Sequence, residues 1–138
     1  MARRIQLKGE SRLEEGVAAE AISPGHLIKR DTSGTLIKHD NQDAPAEAFF
    51  AEEDALQGRT IDDAYTTDDI VFGVFPAKGS EVLAILKGGV TCPDGNPLSS
   101  GGDGTLILAT GTDYVVAFAT KALDLNALPA DFISVRAV

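Results

Sequence analysis

The sequence is poor in the residue types that most often carry catalysis or metal binding. It has one cysteine, Cys92, two histidines and no tryptophan among its 138 residues. A single cysteine excludes an internal disulfide, so folding does not depend on an oxidising compartment. His26 and His39 show no zinc-ligand spacing with Cys92, and nothing in the sequence brings a general base to this cysteine. We therefore expect a structural cysteine, no metal site and no cofactor.

Basic residues are scarce as well. The chain has 12 Lys and Arg against 21 Asp and Glu, which gives a formal net charge of −9. Nucleic-acid binding needs phosphate contacts from Lys and Arg, and anionic membranes repel so acidic a surface. No apolar run approaches the roughly 20 residues of a membrane span, and the first residues lack the apolar segment of a secretion signal. These absences predict a soluble protein, made in the cytoplasm, that binds neither nucleic acid nor membrane.

Recognised catalytic motifs are missing too. Acidic side chains are densest between residues 40 and 69, but without the spacing of a calcium-binding loop. The glycine-rich residues 101–104 lack the Lys-Ser/Thr of a phosphate-binding loop, and the chain has no Gly-x-Ser-x-Gly elbow. We expect the acidic segment to form a solvated face and the protein to have no catalytic residues.

What the sequence does contain is a series of short apolar segments separated by turn residues. Its 14 glycines and 6 prolines fall between these segments, and Ser23-Pro24-Gly25 fits a type II turn. Helix signals are confined to residues 52–57, followed by Gly58, and to residues 124–128. The predicted strands cover residues 26–30, 35–39, 70–75, 81–86, 105–110, 114–119 and 132–138. This pattern predicts an all-β protein, a small barrel or sandwich with at most one or two short helical turns.

The first 16 residues differ from the rest of the chain in charge and pattern. They hold four basic and three acidic side chains, whereas residues 17–138 hold eight basic and eighteen acidic ones. Ile5 and Leu7 alternate with polar neighbours, as in a short strand. We expect residues 1–16 to form an extended N-terminal arm that pairs with a partner, the alternative being a frayed terminus. Residues 17–138 are expected to form a single β-rich domain.

Several segments occur in an order that resembles a known family of virion proteins. They are residues 21–28, a hairpin with Gly34 followed by His39, residues 48–52, Gly58, residues 61–65, residues 68–71, residues 79–84 and a polar glycine loop before Thr105. In residues 68–71, Asp68 stands in the glycine position of a Gly-Asp-x-Val pattern. From about Val17 to Phe118, the chain is similar in this order to the head decoration, or cement, proteins of tailed bacteriophages.

The resemblance implies a small barrel-like domain of the β-tulip type and a structural task on the virion. Proteins of this family sit on the capsid exterior between major capsid proteins, commonly as homotrimers. A protein that binds only the assembled lattice stabilises that lattice by mass action, here against the internal pressure of packed DNA. The implied partner is the major capsid protein, and the implied location is the outside of the head.

The arm and the apolar strands supply the candidate contact residues. An arm with strand alternation can add a strand to a sheet edge of the capsid, while its basic side chains meet capsid carboxylates. The candidate capsid-binding residues are Arg3, Arg4, Ile5, Gln6, Leu7 and Lys8. The candidate self-association residues are Val71, Phe72, Phe75, Phe132 and Val135.

Two other functions stay open. Tail-tube, tail-tip and head-completion proteins are also small β-rich virion modules. Trimeric all-β nucleotide hydrolases, similar to the dUTP pyrophosphatases, have comparable size and hold a magnesium-bound phosphate chain with carboxylates. The acidic segment and Asp113-Tyr114 fit such a site, but that family's ordered motifs do not align with this chain and basic residues that would hold a triphosphate are few.

Overall fold

The computed structural model describes residues 4–42 and 44–138, which form thirteen short strands. The one helical element in these two ranges is a turn of 3-10 helix, Ala55–Gln57, and no helix there is long and apolar enough to cross a membrane. The prediction of an all-β protein with minimal helix is confirmed. The strands are β1 (Gln6–Lys8), β2 (Ser11–Val17), β3 (Ile28–Arg30), β4 (Leu36–Lys38), β5 (Phe50–Ala51), β6 (Ile70–Pro76), β7 (Glu81–Leu86), β8 (Thr91–Cys92), β9 (Pro97–Ser100), β10 (Leu106–Leu108), β11 (Val115–Ala119), β12 (Leu123–Asp124) and β13 (Asp131–Ala137).

Five of the strands close into a barrel. Their order is β7, β10, β9, β11 and β13, and β13 pairs with β7 to complete the ring. Neighbouring strands run antiparallel except β10 and β7, which meet in parallel at Leu106 and Leu86. Along β7, Val82, Ala84 and Leu86 are buried and the residues between them are partly exposed. This alternation fills the barrel interior with apolar side chains and leaves an outer face for other contacts.

A three-stranded sheet, β2–β6–β5, packs against the barrel core through Phe50 and Val74. Its other face forms a smaller core with the β3–β4 hairpin. Gly73 of β6 is required in this core because a Cβ at its position would clash with the ring of Phe49. The buried residues of the smaller core are Ala18, Ile22, Ile28, Leu36, Phe49, Ala51, Tyr65 and Val71.

Most of the predicted strands are confirmed. β7 covers the predicted residues 81–86 without change, and β3 and β4 form the predicted hairpin. The predicted type II turn is also present. Gly25 has a φ of +94°, and the N–H of His26 donates to the carbonyl of Ser23 at 3.0 Å. The turn residues in the local sequence therefore determine these elements.

The two predicted helical segments have different outcomes. Residues 52–57 contain the 3-10 turn, which ends at Gly58 with a φ of +72°. The prediction of a helical turn over residues 124–128 is wrong. β12 begins at Leu123 and pairs with β8, while the carboxylate of Asp124 accepts the backbone N–H two residues further on at 2.9 Å. Pairing with a distant strand outweighs the weak local helix signal here.

The structure corrects the expected separate arm over residues 4–16. β1 pairs with β7 of the barrel, and β2 pairs with β6 along all seven of its residues, so the boundary expected after residue 16 falls inside a strand. Ile5 is fully buried in the barrel core, and its N–H donates to the carboxylate of Glu53 at 3.1 Å. The segment belongs to the domain because Ile5 fills the barrel core and β2 widens the second sheet.

Candidate functional site

A groove of about 600 Å³ lies on the outer face of the barrel, along β1, β7 and β13. Its apolar lining includes four side chains from separate elements, Leu7, Leu83, Leu123 and Phe132. A concave apolar surface that stays accessible to solvent is a common feature of partner-binding sites. We treat it as the candidate docking site and call it the β1–β13 groove.

Strand alternation places two of the lining residues. Leu83 lies between two buried residues of β7, and Phe132 directly precedes the buried Ile133 of β13, so both face outward. Paired residues of antiparallel strands lie on the same face of a sheet. Ile85 opposite Phe132, and Ser134 opposite Leu83, therefore extend the same outer surface.

Leu7 reaches the groove because β1 is irregular. The register of β1 with β7 shifts between Gln6 and Lys8. The side-chain amide of Gln6 donates to the carbonyls of Lys8 at 2.9 Å and Gly9 at 3.3 Å. These hydrogen bonds stabilise the irregular backbone conformation at the end of β1. As a result Ile5 points into the core whereas Leu7, two residues later, is 42% exposed.

The groove is basic in a protein that is acidic as a whole. Arg4, Lys8 and Lys121 line it against a single carboxylate, Glu81, while the whole chain carries −9. Lys8 Nζ lies 3.6 Å from Glu81, and Arg4 Nε lies 3.8 Å from the carboxylate of Glu53. The Arg4 and Lys8 side chains are each 75% exposed, and ion pairs at such exposure contribute little. These cations therefore remain available to an acidic partner.

The predicted capsid-binding residues are divided between the groove and the core. Three of them line the groove: Arg4, Leu7 and Lys8. The prediction for Ile5 is wrong, because its side chain has no exposed surface. Gln6 is turned toward the backbone of its own strand. Arg3 lies outside the described residues.

Sequence analysis did not identify three groove residues, Leu83, Lys121 and Leu123. Leu83 stood in a predicted strand, but alternation does not tell which of its two faces turns outward. Lys121 and Leu123 join the groove through tertiary folding, and no local pattern marks them.

The predicted self-association residues also separate by burial. Val71 and Val135 are wrong as contact residues, because both have no exposed surface and pack in the two cores. Phe75 stacks on Phe49 with ring centroids 4.0 Å apart, so it serves the fold. Phe132 lines the groove, and Phe72 is half-buried on β6. Phe72, Phe75 and Phe132 therefore each remain partly exposed, whereas the two valines do not.

Acidic side chains of the 40–69 segment stabilise turns and the core. Asp40, Glu47, Asp62, Asp63 and Asp68 are exposed, so the prediction of a solvated acidic face is confirmed for most of the described segment. It is wrong for Glu53 and Asp54, which are buried. Two Thr-x-x-Asp turns of the segment share one geometry, in which the carboxylate accepts the backbone N–H and the hydroxyl of the threonine: Thr60 with Asp63 and Thr66 with Asp69. Thr110 and Asp113, outside the segment, form a third turn of this kind. In the described part of the chain, no three His, Cys, Asp or Glu side chains cluster as metal ligands would.

The cysteine and the histidines are held inside the fold. Cys92 is buried in the barrel core, and burial raises the pKa of its thiol, which disfavours the reactive thiolate. His26 Nδ1 accepts the N–H of Ser23 at 2.9 Å. His39 is buried, with Nδ1 2.7 Å from the hydroxyl of Ser100. Each of these groups has a structural partner.

Comparison with known proteins gives a similarity of fold. No family model and no curated protein matches the chain. Among solved structures, the fold is similar to the head fiber gp8.5 N base of bacteriophage phi29. The TM-score is 0.61 at 9% sequence identity, over 94% of this chain and 95% of the phage protein. At this identity the two chains share a fold over nearly their whole lengths.

Proposed function

We propose that this chain is a structural component of a bacteriophage head. The observation that carries the proposal is the shared fold with the base of a phage head fiber, which spans 94% of this chain. The order of sequence segments, which resembles the head decoration proteins, supports the same location on separate grounds. Neither source of support depends on a catalytic residue, and we propose that the protein is not an enzyme.

The finer proposal is a decoration, or cement, protein on the outside of the capsid. It binds the assembled lattice between major capsid proteins and not the free subunits. Such binding stabilises the lattice by mass action, because dissociation of the shell requires release of the bound protein. The resemblance adds a homotrimer on the capsid, and Phe72, Phe75 and Phe132 are the predicted self-association residues that keep partly exposed side chains.

The β1–β13 groove is the proposed docking surface for the capsid. Arg4 and Lys121 meet capsid carboxylates, while Leu7 and Phe132 cover an apolar side chain of the partner. Charges at the edge of an interface accelerate association and select the partner, whereas the buried apolar contacts provide most of the binding free energy. The net charge of −9 opposes non-specific association of the free protein before a lattice is present.

Co-sedimentation with expanded heads that lack the protein tests the proposal. We expect saturable binding in a constant ratio to the major capsid protein, and we expect Lys121→Glu to weaken it at least about tenfold. Lys78→Glu is the matched control, because Lys78 is exposed and does not line the groove. Absence of binding by the parent chain would overturn the proposed function. Equal binding by both variants would overturn only the role of the groove.

The number of copies per virion distinguishes a head decoration protein from a tail component. A decoration protein is present in hundreds of copies, comparable to the major capsid protein, and a tail-tip protein in few. A magnesium-dependent nucleotide hydrolysis assay tests the enzyme alternative in the same preparation. Few copies, or hydrolysis that Asp113→Asn abolishes, would replace the proposal with one of these functions.

A further inference from the structure

Strand β2 leaves part of one edge without a partner strand. Among the described residues it pairs only with β6, and Ser11 lies opposite Pro76, which has no N–H to donate. In an antiparallel pair, residues alternate between directing their backbone groups toward the partner and away from it. The pair at Pro76 must be of the second kind. The N–H and C=O of Ser11 therefore point away from β6. The same holds for Leu13 and Glu15, which follow at alternate positions.

The β3–β4 hairpin covers the second half of this edge. The guanidinium of Arg30 donates to the carbonyl of Glu15 at 2.9 Å, and the N–H of Ala19 donates to the carbonyl of Leu36 at 3.0 Å. The first half is open, since no described residue hydrogen-bonds to the outward groups of Ser11 and Leu13. The open edge is thus short and has a defined end at Glu15.

The side chains along the open edge favour another strand. Leu13 is 63% exposed, although exposed edges usually carry charge or proline to prevent pairing. Arg12 and Glu14, of opposite charge, flank it on the other face of the strand. Both are already held in place: Arg12 lies 4.9 Å above the Phe75 ring, and Glu14 accepts from Arg30 at 2.7 Å.

We propose that two copies of this chain pair in antiparallel orientation through β2, about a twofold axis at Leu13. This register sets Leu13 opposite its counterpart and gives its outward N–H and C=O two hydrogen bonds. It also sets Arg12 of each copy opposite Glu14 of the other, on one face of the joined sheets. The contact is isologous, so it closes as a dimer. It uses only β2, and the threefold contact of the proposed capsid protein would use a different surface of the same copy.

Charge selects this register over its neighbours. A twofold axis one residue earlier sets Arg12 opposite Arg12, and one residue later it sets Glu14 opposite Glu14. Like charges directly opposite each other destabilise a strand pair. The chain turns at Gly9, with a φ of +84°, so the partner's strand leaves the edge before it reaches the half that the hairpin covers.

Sedimentation equilibrium of charge-reversed variants tests the pairing. We expect a reversible dimer for the parent chain, and at least about tenfold weaker dimerisation for Arg12→Glu and for Glu14→Arg, because each sets like charges across the axis. Mixing the two variants must restore association, since the mixed dimer has opposite charges at both positions. An intrachain effect cannot produce this rescue.

Circular dichroism of each variant establishes that it is folded, and Leu13→Lys provides a second test because its side chain is largely exposed. A parent chain that stays monomeric up to millimolar concentration would overturn the proposal. So would variants that dimerise like the parent, or a mixture that stays monomeric. Lys121→Glu is the control that must leave the dimer intact while it weakens head binding, so the pairing and the proposed docking fail or hold independently.

Discussion

The backbone N–H of Asp68 donates to the carbonyl of Ala18 at 2.8 Å, and Asp68 has a φ of +73°. Only glycine adopts this left-handed conformation without steric cost, and aspartate tolerates it better than most residues. The position is the one at which the decoration-protein pattern has glycine. The departure from that pattern is therefore conservative in backbone terms, because Asp68 takes the conformation for which the glycine is suited.

Substitution of Asp68 tests this account. We expect Asp68→Gly to be at least as stable as the parent, and Asp68→Val to lower the free energy of unfolding by about 1–2 kcal/mol. Urea denaturation measures both. Asp62→Gly is a matched control at an exposed residue without a positive φ, where glycine should lower stability. Equal loss at the two glycine substitutions would contradict a backbone origin.

Ile5 and Leu7 are expected to respond to truncation in opposite ways. Ile5→Ala should lower the free energy of unfolding by about 2–5 kcal/mol, because it empties a fully buried site in the barrel core. Leu7→Ala should cost less than about 1 kcal/mol, because the side chain is 42% exposed, but should weaken binding to heads. Thermal unfolding and co-sedimentation separate the two effects. A freely detached arm would make both substitutions neutral for stability.

Gly73 and Phe49 are expected to be coupled. Gly73→Ala should destabilise by about 1–3 kcal/mol, because the new Cβ meets the Phe49 ring in the smaller core. Phe49→Leu alone should also destabilise, because it loses the stacked contact with Phe75. Denaturation of the double variant should show less than the sum of the two losses. Additive losses would mean that the destabilisation by Gly73→Ala does not arise from contact with the Phe49 ring.

Local pattern was enough to predict the strands that are bounded by turn residues. Residues 81–86 are an apolar run between Gly79 and Gly88, and they form β7 as predicted. β9 was missed because its Pro-Leu-Ser-Ser sequence has no strand signal, yet Ser99 and Ser100 are buried in the barrel wall. Strand content follows from short-range preferences, whereas burial of polar residues depends on the surrounding fold.

Closure of the barrel and assembly of the groove have no local signal. The ring depends on the parallel pairing of Leu106 with Leu86. The local sequence around either residue does not predict that the two pair. Arg4, Leu7 and Lys8 were predicted as contact residues from their alternation, but the inward turn of Ile5 follows from a register shift that the alternation hides. Sequence analysis therefore found part of the candidate site and misjudged how the segment is attached.

Stability is expected to fall between neutral and acidic pH because of His26. Burial, with a further contribution from the charge of Lys38, lowers the pKa of His26 to about 4, against 6.5 for an ordinary histidine. Between these values the unfolded chain binds the proton and the folded chain does not, so the free energy of unfolding decreases as the pH falls from about 6.5 to about 4. The loss attributable to this group is up to about 3 kcal/mol.

The bond from the N–H of Ser23 to His26 Nδ1 gives the control variant. Asparagine at position 26 can accept the same hydrogen bond through its side-chain oxygen but does not titrate. Urea denaturation at several pH values between 4 and 7 should therefore give a shallower decline for His26→Asn than for the parent. Carboxylates whose lowered pKa does not depend on His26, such as Asp31, contribute equally to both chains and cancel in the difference. Parallel pH profiles would mean that His26 does not stay neutral in the folded protein and that its burial carries no pH-dependent penalty.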